Sequence, residues 1–160
     1  MDKIDRRILN ILQHNARISM TELAEHVGLS TTPITERVKK MEREGVIEGY
    51  FTRINPQAIG QDLLVFVEIK LASKSGDIFD EFRRAVIKVP EILECHLVSG
   101  EYDYLIKARL NDMSEYRNML GAILLQLPAA RESRSYVVME EVKESMTLNL
   151  EQSGRSPSAK

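Results

Sequence analysis

The chain has 160 residues, 43% hydrophobic and 29% charged, with a formal net charge of −2, which suits one ordinary soluble domain or two small ones. No apolar run reaches the roughly 18 to 20 residues of a membrane span. The charged start MDKIDRRILNIL has no signal-peptide core, and the single cysteine, Cys95, can neither close an intramolecular disulfide nor join a Cys/His cluster of zinc spacing. A cytoplasmic protein without a structural metal is therefore expected.

Ile4, Ile8, Ile11 and Leu12 recur at helical spacing and predict a first helix ending near His14 and Asn15. Ser19 followed by Glu22 is a capping-box start. Leu23, Ala24 and Val27 continue that second helix, and Gly28 stops it where a left-handed residue is needed. Leu29 is placed to plug the corner, and Ser30, Thr31 or Thr32 to cap a third helix with Pro33 in its first turn.

In this third helix Ile34, Val38 and Met41 form one apolar stripe. At about 100° per residue, Thr32, Glu36, Lys39, Lys40 and Arg43 point away from it, with Thr35 and Arg37 on the flanks. Hydroxyls near the N-terminus and cations further along suit a recognition helix. Its first residues would meet base edges in the major groove and its basic groups would meet phosphates. The plainer alternative is a solvated helix face. Residues 30–43 carry four cations and two anions, so any DNA contact is local and not the work of a global basic field.

The run VIEGYFTRINP alternates around Gly49 and predicts a short hairpin, a wing, from which Arg53 could reach a phosphate. Residues 1–55 thus read as a winged helix-turn-helix domain and 56–61 (PQAIGQ) as a linker. In DLLVFVEIKLA, Leu63, Val65, Val67, Ile69 and Leu71 share one strand face, and the other carries Leu64, Phe66, Glu68 and Lys70. A helix follows through Ile78, Phe79, Phe82, Ala85 and Val86, then strands at 92–99 and 104–110 joined by a turn at Gly100–Asp103. A second helix carries Tyr116, Met119, Leu120, Ile123, Leu124 and Leu127 before Pro128.

A fourth strand is expected at 134–141, an edge strand through Met146, Leu148 and Leu150, and a disordered tail at 151–160. The order β-α-β-β-α-β is the ferredoxin-like arrangement, so the chain as a whole is α+β with its second domain at 62–150. With helices on one sheet face, Leu64 and Phe66 on the other would be exposed in a monomer, which predicts self-association.

The runs DKIDRRILNILQ, ELAEHVGLS, ERVKKMEREGVIEGY, LLVFVEI, ECHLVSGEYDYLIK and YVVMEEVKES, in this order, resemble the Lrp/AsnC family of bacterial amino-acid-responsive transcription regulators over about residues 2 to 150. The resemblance implies dimers joined through the C-terminal sheets, assembly to octamers around which duplex DNA can wrap, and a free amino acid as effector. Leucine or another small apolar amino acid is expected, bound between dimers. The positions that match the family's effector site are Leu97, Ser99, Gly100 and Asp103, with Met113 and Tyr136, Val137 and Val138 nearby.

The chemistry suits such a ligand: Asp103 for the ammonium, backbone N–H groups near Gly100 for the carboxylate, and Leu97, Met113 and Val137 for the side chain. Read without the resemblance, Gly100 and Asp103 are ordinary turn residues. The sequence departs from the family at Thr31 and Thr35, which affects the preferred base sequence, and at Ala129–Ala130, which affects the assembly interface.

On this reading Thr31, Thr32, Thr35 and Glu36 are candidates for base edges and Arg37, Lys39, Lys40 and Arg43 for phosphates. Arg37, beside the core, could instead be a structural ion-pair partner. A ferredoxin-fold enzyme is the competing class, but His14, His26 and His96 lie in no nucleophile or metal motif, and Cys95 and His96 point to opposite faces of their strand. An amino-acid-sensing module that binds no DNA leaves residues 19–45 unexplained.

Overall fold

The computed structural model describes residues 1–73, 76–126 and 130–150, with backbone alone at 123–126. The expectations placed on the side chains of Ile123 and Leu124, on Leu127, Pro128 and Ala129, and on the tail 151–160 lie outside the described residues. The chain divides into two compact units, Met1–Arg53 together with the segment from Lys143, and Ile54–Val142.

The first unit holds α1 (Lys3–His14), α2 (Met20–Val27) and α3 (Thr31–Arg43). Ile8, Leu12, Leu23, Ala24, Ile34, Val38 and Met41 form its core. Two capping boxes set the helix starts, Asp2 with Asp5 and Ser19 with Glu22. Gly28, at φ 80°, ends α2 with its N–H shared between the carbonyls of Ala24 and Glu25. Leu29 is 38% exposed, so it does not plug the corner as expected.

Residues 46–55 form no strand, and the expected hairpin is absent among the described residues. Val46 and Ile47 both donate to Met41 O, tying the segment back to α3, and the Phe51 ring folds over Gly49. A lone two-stranded ribbon is marginal in water, and here local contacts prevail.

The capping carboxylates give the unit a defined acid response. Asp2 is held below the ordinary carboxylate range by the Asp5 N–H and then by Arg37, and Glu22 by the Ser19 N–H and then its hydroxyl. With folded values depressed, the unfolded chain binds these protons more readily. The stabilisation is present above the ordinary values of 3.8 and 4.5 and is lost as pH falls through the lower folded values. The melting temperature of the wild type is therefore expected to fall more steeply between about pH 5 and pH 3 than that of an Asp2→Asn, Glu22→Gln variant. Parallel curves would assign the acid response to other groups.

The second unit opens with a 3₁₀ turn at Gln57–Ile59. It continues with β1 (Leu63–Leu71), α4 (Gly76–Val86), β2 (Ile92–Leu97), β3 (Tyr104–Leu110), α5 (Met113–Gln126) and β4 (Ala130–Val137). The strands lie in the order β2-β3-β1-β4, all neighbours antiparallel. Val65, Val67, Ile69, Leu71, Tyr104, Ile106, Ala108 and Leu110 face α4 and α5 and bury Phe82, Val86, Tyr116 and Met119. The Phe82 and Tyr104 rings stack at 4.1 Å.

β4 begins four residues before the expected start at 134 and ends at Val137 rather than 141. It is an edge strand with polar residues on both faces, so it lacks the apolar alternation that marks β1 and β3. Ser135, for example, meets the Tyr116 hydroxyl on the helix side. Past its end, Val138 N donates to Leu64 O at 2.9 Å and Glu141 bonds Arg109. Leu64 and Arg109 are cross-strand partners on the face away from the helices. The segment leaving β4 therefore runs along that face. Leu64 is only 5% exposed and Phe66 half-buried, not open as expected.

The edge strand expected at 146–150 is absent among the described residues. Instead the Gln13 side chain makes two hydrogen bonds to the backbone of Leu148, so this segment groups with the first unit.

Candidate nucleic-acid interface and ligand site

α3 presents the arrangement expected of it. Ile34, Val38 and Met41 are buried, Thr31, Thr32, Glu36, Lys39, Lys40 and Arg43 are exposed, and Thr35 and Arg37 lie between. Ser30 occupies the N-cap position but makes no side-chain cap bond. The Thr35 hydroxyl donates to Thr31 O at 2.9 Å, leaving its lone pairs as acceptors. Lys40 lies 3.8 Å from Glu44, a surface pair of little energetic weight.

Arg37 departs from the phosphate set. Its Nη1 donates to Asp2 Oδ2 at 2.7 Å and to Asp5 Oδ1 at 2.6 Å. These two carboxylates, Asp5 first, raise the guanidinium pKa further. Arg37 thus ties the middle of α3 to the start of α1, which is the ion-pair alternative the sequence left open. Arg53, also expected to reach a phosphate, lies 3.3 Å from Glu144. Tyr50 donates to Glu42 at 2.9 Å, and burial with that carboxylate pushes its hydroxyl up to about 12.

In the second unit the candidate ligand residues fall into two groups. The turn after β2 brings together Leu97, Ser99, Gly100 and Asp103, closed by Val98 N donating to Asp103 O at 3.0 Å. Gly100 sits at φ 145°, a backbone state closed to most side chains. Asp103 is turned inward: it is 5% exposed, its N–H donates to Ile69 O, and its Oδ2 accepts from Leu71 N at 2.8 Å. Its first role is to fix the turn on the end of β1.

The second group lies elsewhere. Tyr136 and Val137 pair with Phe66 and Val65, and Met113 opens the helix that follows β3 at the same end of the sheet. Four residues of β1 at about 3.3 Å each and two strand spacings of about 4.8 Å separate Asp103 from Tyr136 by on the order of 16 Å. The family resemblance implies that these groups lie near one another in a site between dimers; within one chain they lie apart. Leu97, Met113, Tyr136 and Val137 are all exposed.

Two arrangements have no clear counterpart in the sequence pattern. Arg134 lays its guanidinium 5.2 Å from the centre of the Tyr102 ring, beside the turn. Arg109, 4% exposed, donates from Nη2 to both carboxylate oxygens of Glu141 at 2.8 Å and from Nη1 to Gln61 O at 3.4 Å. The only sequence signal for Arg109 is a cation inside the alternation YLIKARL.

An open groove of about 380 Å³ in the first unit, lined by His14, Glu22 and His26 among others, coincides with neither ligand group. Among the described residues no three His, Cys, Asp or Glu side chains are placed to hold a metal ion, and no helix is long and apolar enough to cross a membrane.

Residues 1–48 match the family model for a winged helix-turn-helix DNA-binding domain, and residues 64–148 match that of the Lrp/AsnC ligand binding domain. The chain is 55% identical over 148 residues to the leucine-responsive regulatory proteins of Escherichia coli K12 and Salmonella typhimurium, covering 92% of this chain and 90% of each relative. The chain belongs to the Lrp/AsnC family.

Among solved structures, an AsnC family transcriptional regulator from Agrobacterium tumefaciens superposes with a TM-score of 0.90 at 35% identity. A transcriptional regulator from Neisseria meningitidis, solved as a complex with L-Met, superposes with a TM-score of 0.89 at 32% identity. Each covers 94% of this chain and 97% of the other.

As an Lrp/AsnC protein the chain is a DNA-binding transcription regulator with a separate ligand-binding domain. The enzyme reading falls with that assignment. Its best nucleophile, Cys95, is half-buried, and burial pushes the thiol up to about 11. His96 pairs with Glu94, not with Cys95.

Proposed function

We propose that this regulator reads duplex DNA with α3 and responds to a small apolar amino acid, leucine first, bound in a site built from two chains. The separation of the turn residues from Met113 and Tyr136–Val138 carries this reading. A free amino acid spans only several ångströms, so one chain cannot offer it both groups. The turn of one protomer (Ser99 and Gly100, with Asp103 holding it from behind) would meet the ammonium and carboxylate, and its Leu97 the side chain. Met113, Tyr136, Val137 and Val138 of another would line the side-chain space. The Neisseria regulator's complex with L-Met and the leucine-responsive relatives support an apolar amino acid.

On DNA, Thr31, Thr32, Thr35 and Glu36 would face base edges, and Lys39, Lys40 and Arg43 phosphates. Arg37 positions the helix. Dimers would form through the sheet face that carries Phe66, Leu105 and Tyr136, and would assemble further, to octamers, in the cytoplasm of a bacterium. Ligand seated between chains favours one assembly over another only through its difference in affinity for the two.

Subunit mixing tests the composite site. Ser99→Trp and Met113→Asp are each expected to abolish leucine binding, measured by calorimetry, because every site in either homo-oligomer contains the altered residue. Random co-assembly of the two variants restores about a quarter of the sites, those drawing both unaltered halves. No recovery in a demonstrated mixed oligomer would place the site within one chain.

A further inference from the structure

The chain passes between its two units twice, outward between Arg53 and Ile54 and back between Val142 and Lys143. Each crossing is fastened close to its ends. On the side of the first unit, Arg53 pairs with Glu144 at 3.3 Å, joining the outgoing strand of chain to the returning one. Four residues further on, Leu148 is held through both its N–H and its carbonyl by Gln13 of α1, at 2.7 and 3.2 Å.

On the side of the second unit one residue does the joining. Arg109 bonds the carbonyl of Gln61, at the end of the outgoing linker, and both carboxylate oxygens of Glu141, at the start of the returning segment. Its guanidinium is buried, whereas the Glu141 side chain is 28% exposed. A charge buried to this degree stays where its partners are, because separating them leaves it unpaired in a poor solvent.

The returning segment begins at Val138, the last of the candidate ligand residues, and Glu141 lies three positions beyond it. Val138 is itself fixed by its N–H to Leu64 O, the neighbour across the sheet from Arg109. A shift at the Tyr136–Val138 end of β4 therefore reaches Glu141 within one short stretch of chain. Through Arg109 it reaches Gln61 and the outgoing linker as well. At the second unit Arg109 ties the two connections to each other, as Arg53 and Glu144 do at the first.

We infer that Arg109 is a positioning residue for the regulatory response: it makes the two connections move as one, so that ligand at the end of β4 is felt by the DNA-binding unit. The inference rests on the amino-acid reading above. It gives Arg109 no contact with ligand or DNA; Arg109 acts through Glu141 and Gln61.

The test uses the full-length oligomer with leucine as the probe. Three quantities are measured for wild type, for the double variant Arg109→Met with Glu141→Met, and for Arg109→Lys: leucine affinity by calorimetry, operator affinity without leucine, and the ratio of operator affinities with and without saturating leucine. Removing both charges together avoids stranding one of them, so the double variant is the one expected to fold.

In the wild type the ratio departs from one by about tenfold, within the usual range of allosteric coupling. In the double variant it falls to within about twofold of one, while both separate affinities stay within about threefold of wild type. Amide exchange at 54–61 and 138–142 quickens together. Arg109→Lys, which keeps the charge and one of the bonds, recovers part of the ratio.

A folded double variant with the wild-type ratio overturns the coupling role and leaves the amino-acid reading intact. Loss of leucine affinity in step with the ratio also overturns it, by placing Arg109 in the site. A wild type indifferent to every amino acid overturns both readings.

Discussion

Changing Lys39 and Lys40 to alanine is expected to lower operator affinity about 10²- to 10³-fold near 0.15 M salt and to flatten its salt dependence. Both side chains are exposed on the face of α3 opposite Ile34, Val38 and Met41, so truncation removes charge without opening the core. Each phosphate contact contributes about 0.9 to the log–log slope. A dimer places two copies of α3 on the duplex, so the double variant removes four contacts and about 3.6 of slope. Lys40 also lies near Glu44, which makes that figure an upper bound.

Arg37→Met supplies the contrast. Its guanidinium is engaged by Asp2 and Asp5, so this change is expected to loosen the packing of α1 on α3 while leaving the slope unchanged. Filter binding or fluorescence anisotropy from 50 to 400 mM salt reads both, on the order of a decade of ionic strength. An unchanged slope after loss of Lys39 and Lys40 would remove α3 from the phosphate backbone. A slope that changes with Arg37 instead would mean its ion pairs open on DNA.

What is legible in the chain is what is written locally. The capping box at Ser19 and Glu22, the left-handed Gly28 and the apolar stripe of α3 are each encoded within a few residues of where they act. The helix-turn-helix can therefore be read from the linear order of residues alone. The alternation of β1 and β3 is equally plain because their helix-facing residues are apolar almost without exception. β4 is misplaced by its pattern because an edge strand with Ser133 and Ser135 on its helix side has no such alternation.

The pairings that join distant parts of the chain leave no signal. Gln13 and Leu148 are 135 positions apart, and nothing near either one specifies the other. Arg109 stands out only as a charge in the wrong place, and its partners Glu141 and Gln61 lie on segments that read as the end of a strand and a linker. The candidate ligand residues follow a family pattern, but their distribution over two ends of one sheet follows from strand register, which linear order does not supply. The segment 46–55 errs in the opposite direction. Its β-type pattern is real, yet pattern alone does not make a ribbon without a further strand to pair with.

Ile34→Ala is expected to abolish operator binding while leaving leucine binding near its wild-type strength. Ile34 is fully buried on the inner side of α3, among Ile8, Leu12, Leu23, Ala24, Val38 and Met41. Truncating a buried isoleucine to alanine costs about 2 to 5 kcal/mol through lost burial and the cavity left behind. Alanine's better helix propensity returns at most about half a kcal/mol, so the cavity decides the sign. A unit built on 53 residues and a short returning segment has little stability to lose, on the order of 5 kcal/mol for a domain of that size. The variant's first unit is therefore largely or wholly unfolded at growth temperature, and α3 has no fixed face to present.

The second unit keeps a core of its own, centred on Phe82, Tyr104 and Ile106. Scanning calorimetry is expected to show the low-temperature transition lost or moved down by more than about 10 °C, with the higher one in place. Phe82→Ala, costing about 3 to 5 kcal/mol in the other core, reverses the pattern and removes the leucine response first. A single transition that carries both activities down together in either variant would show that the two cores do not melt independently. Wild-type operator affinity in a folded Ile34→Ala protein would mean that the inner stripe does not seat the helix that reads DNA.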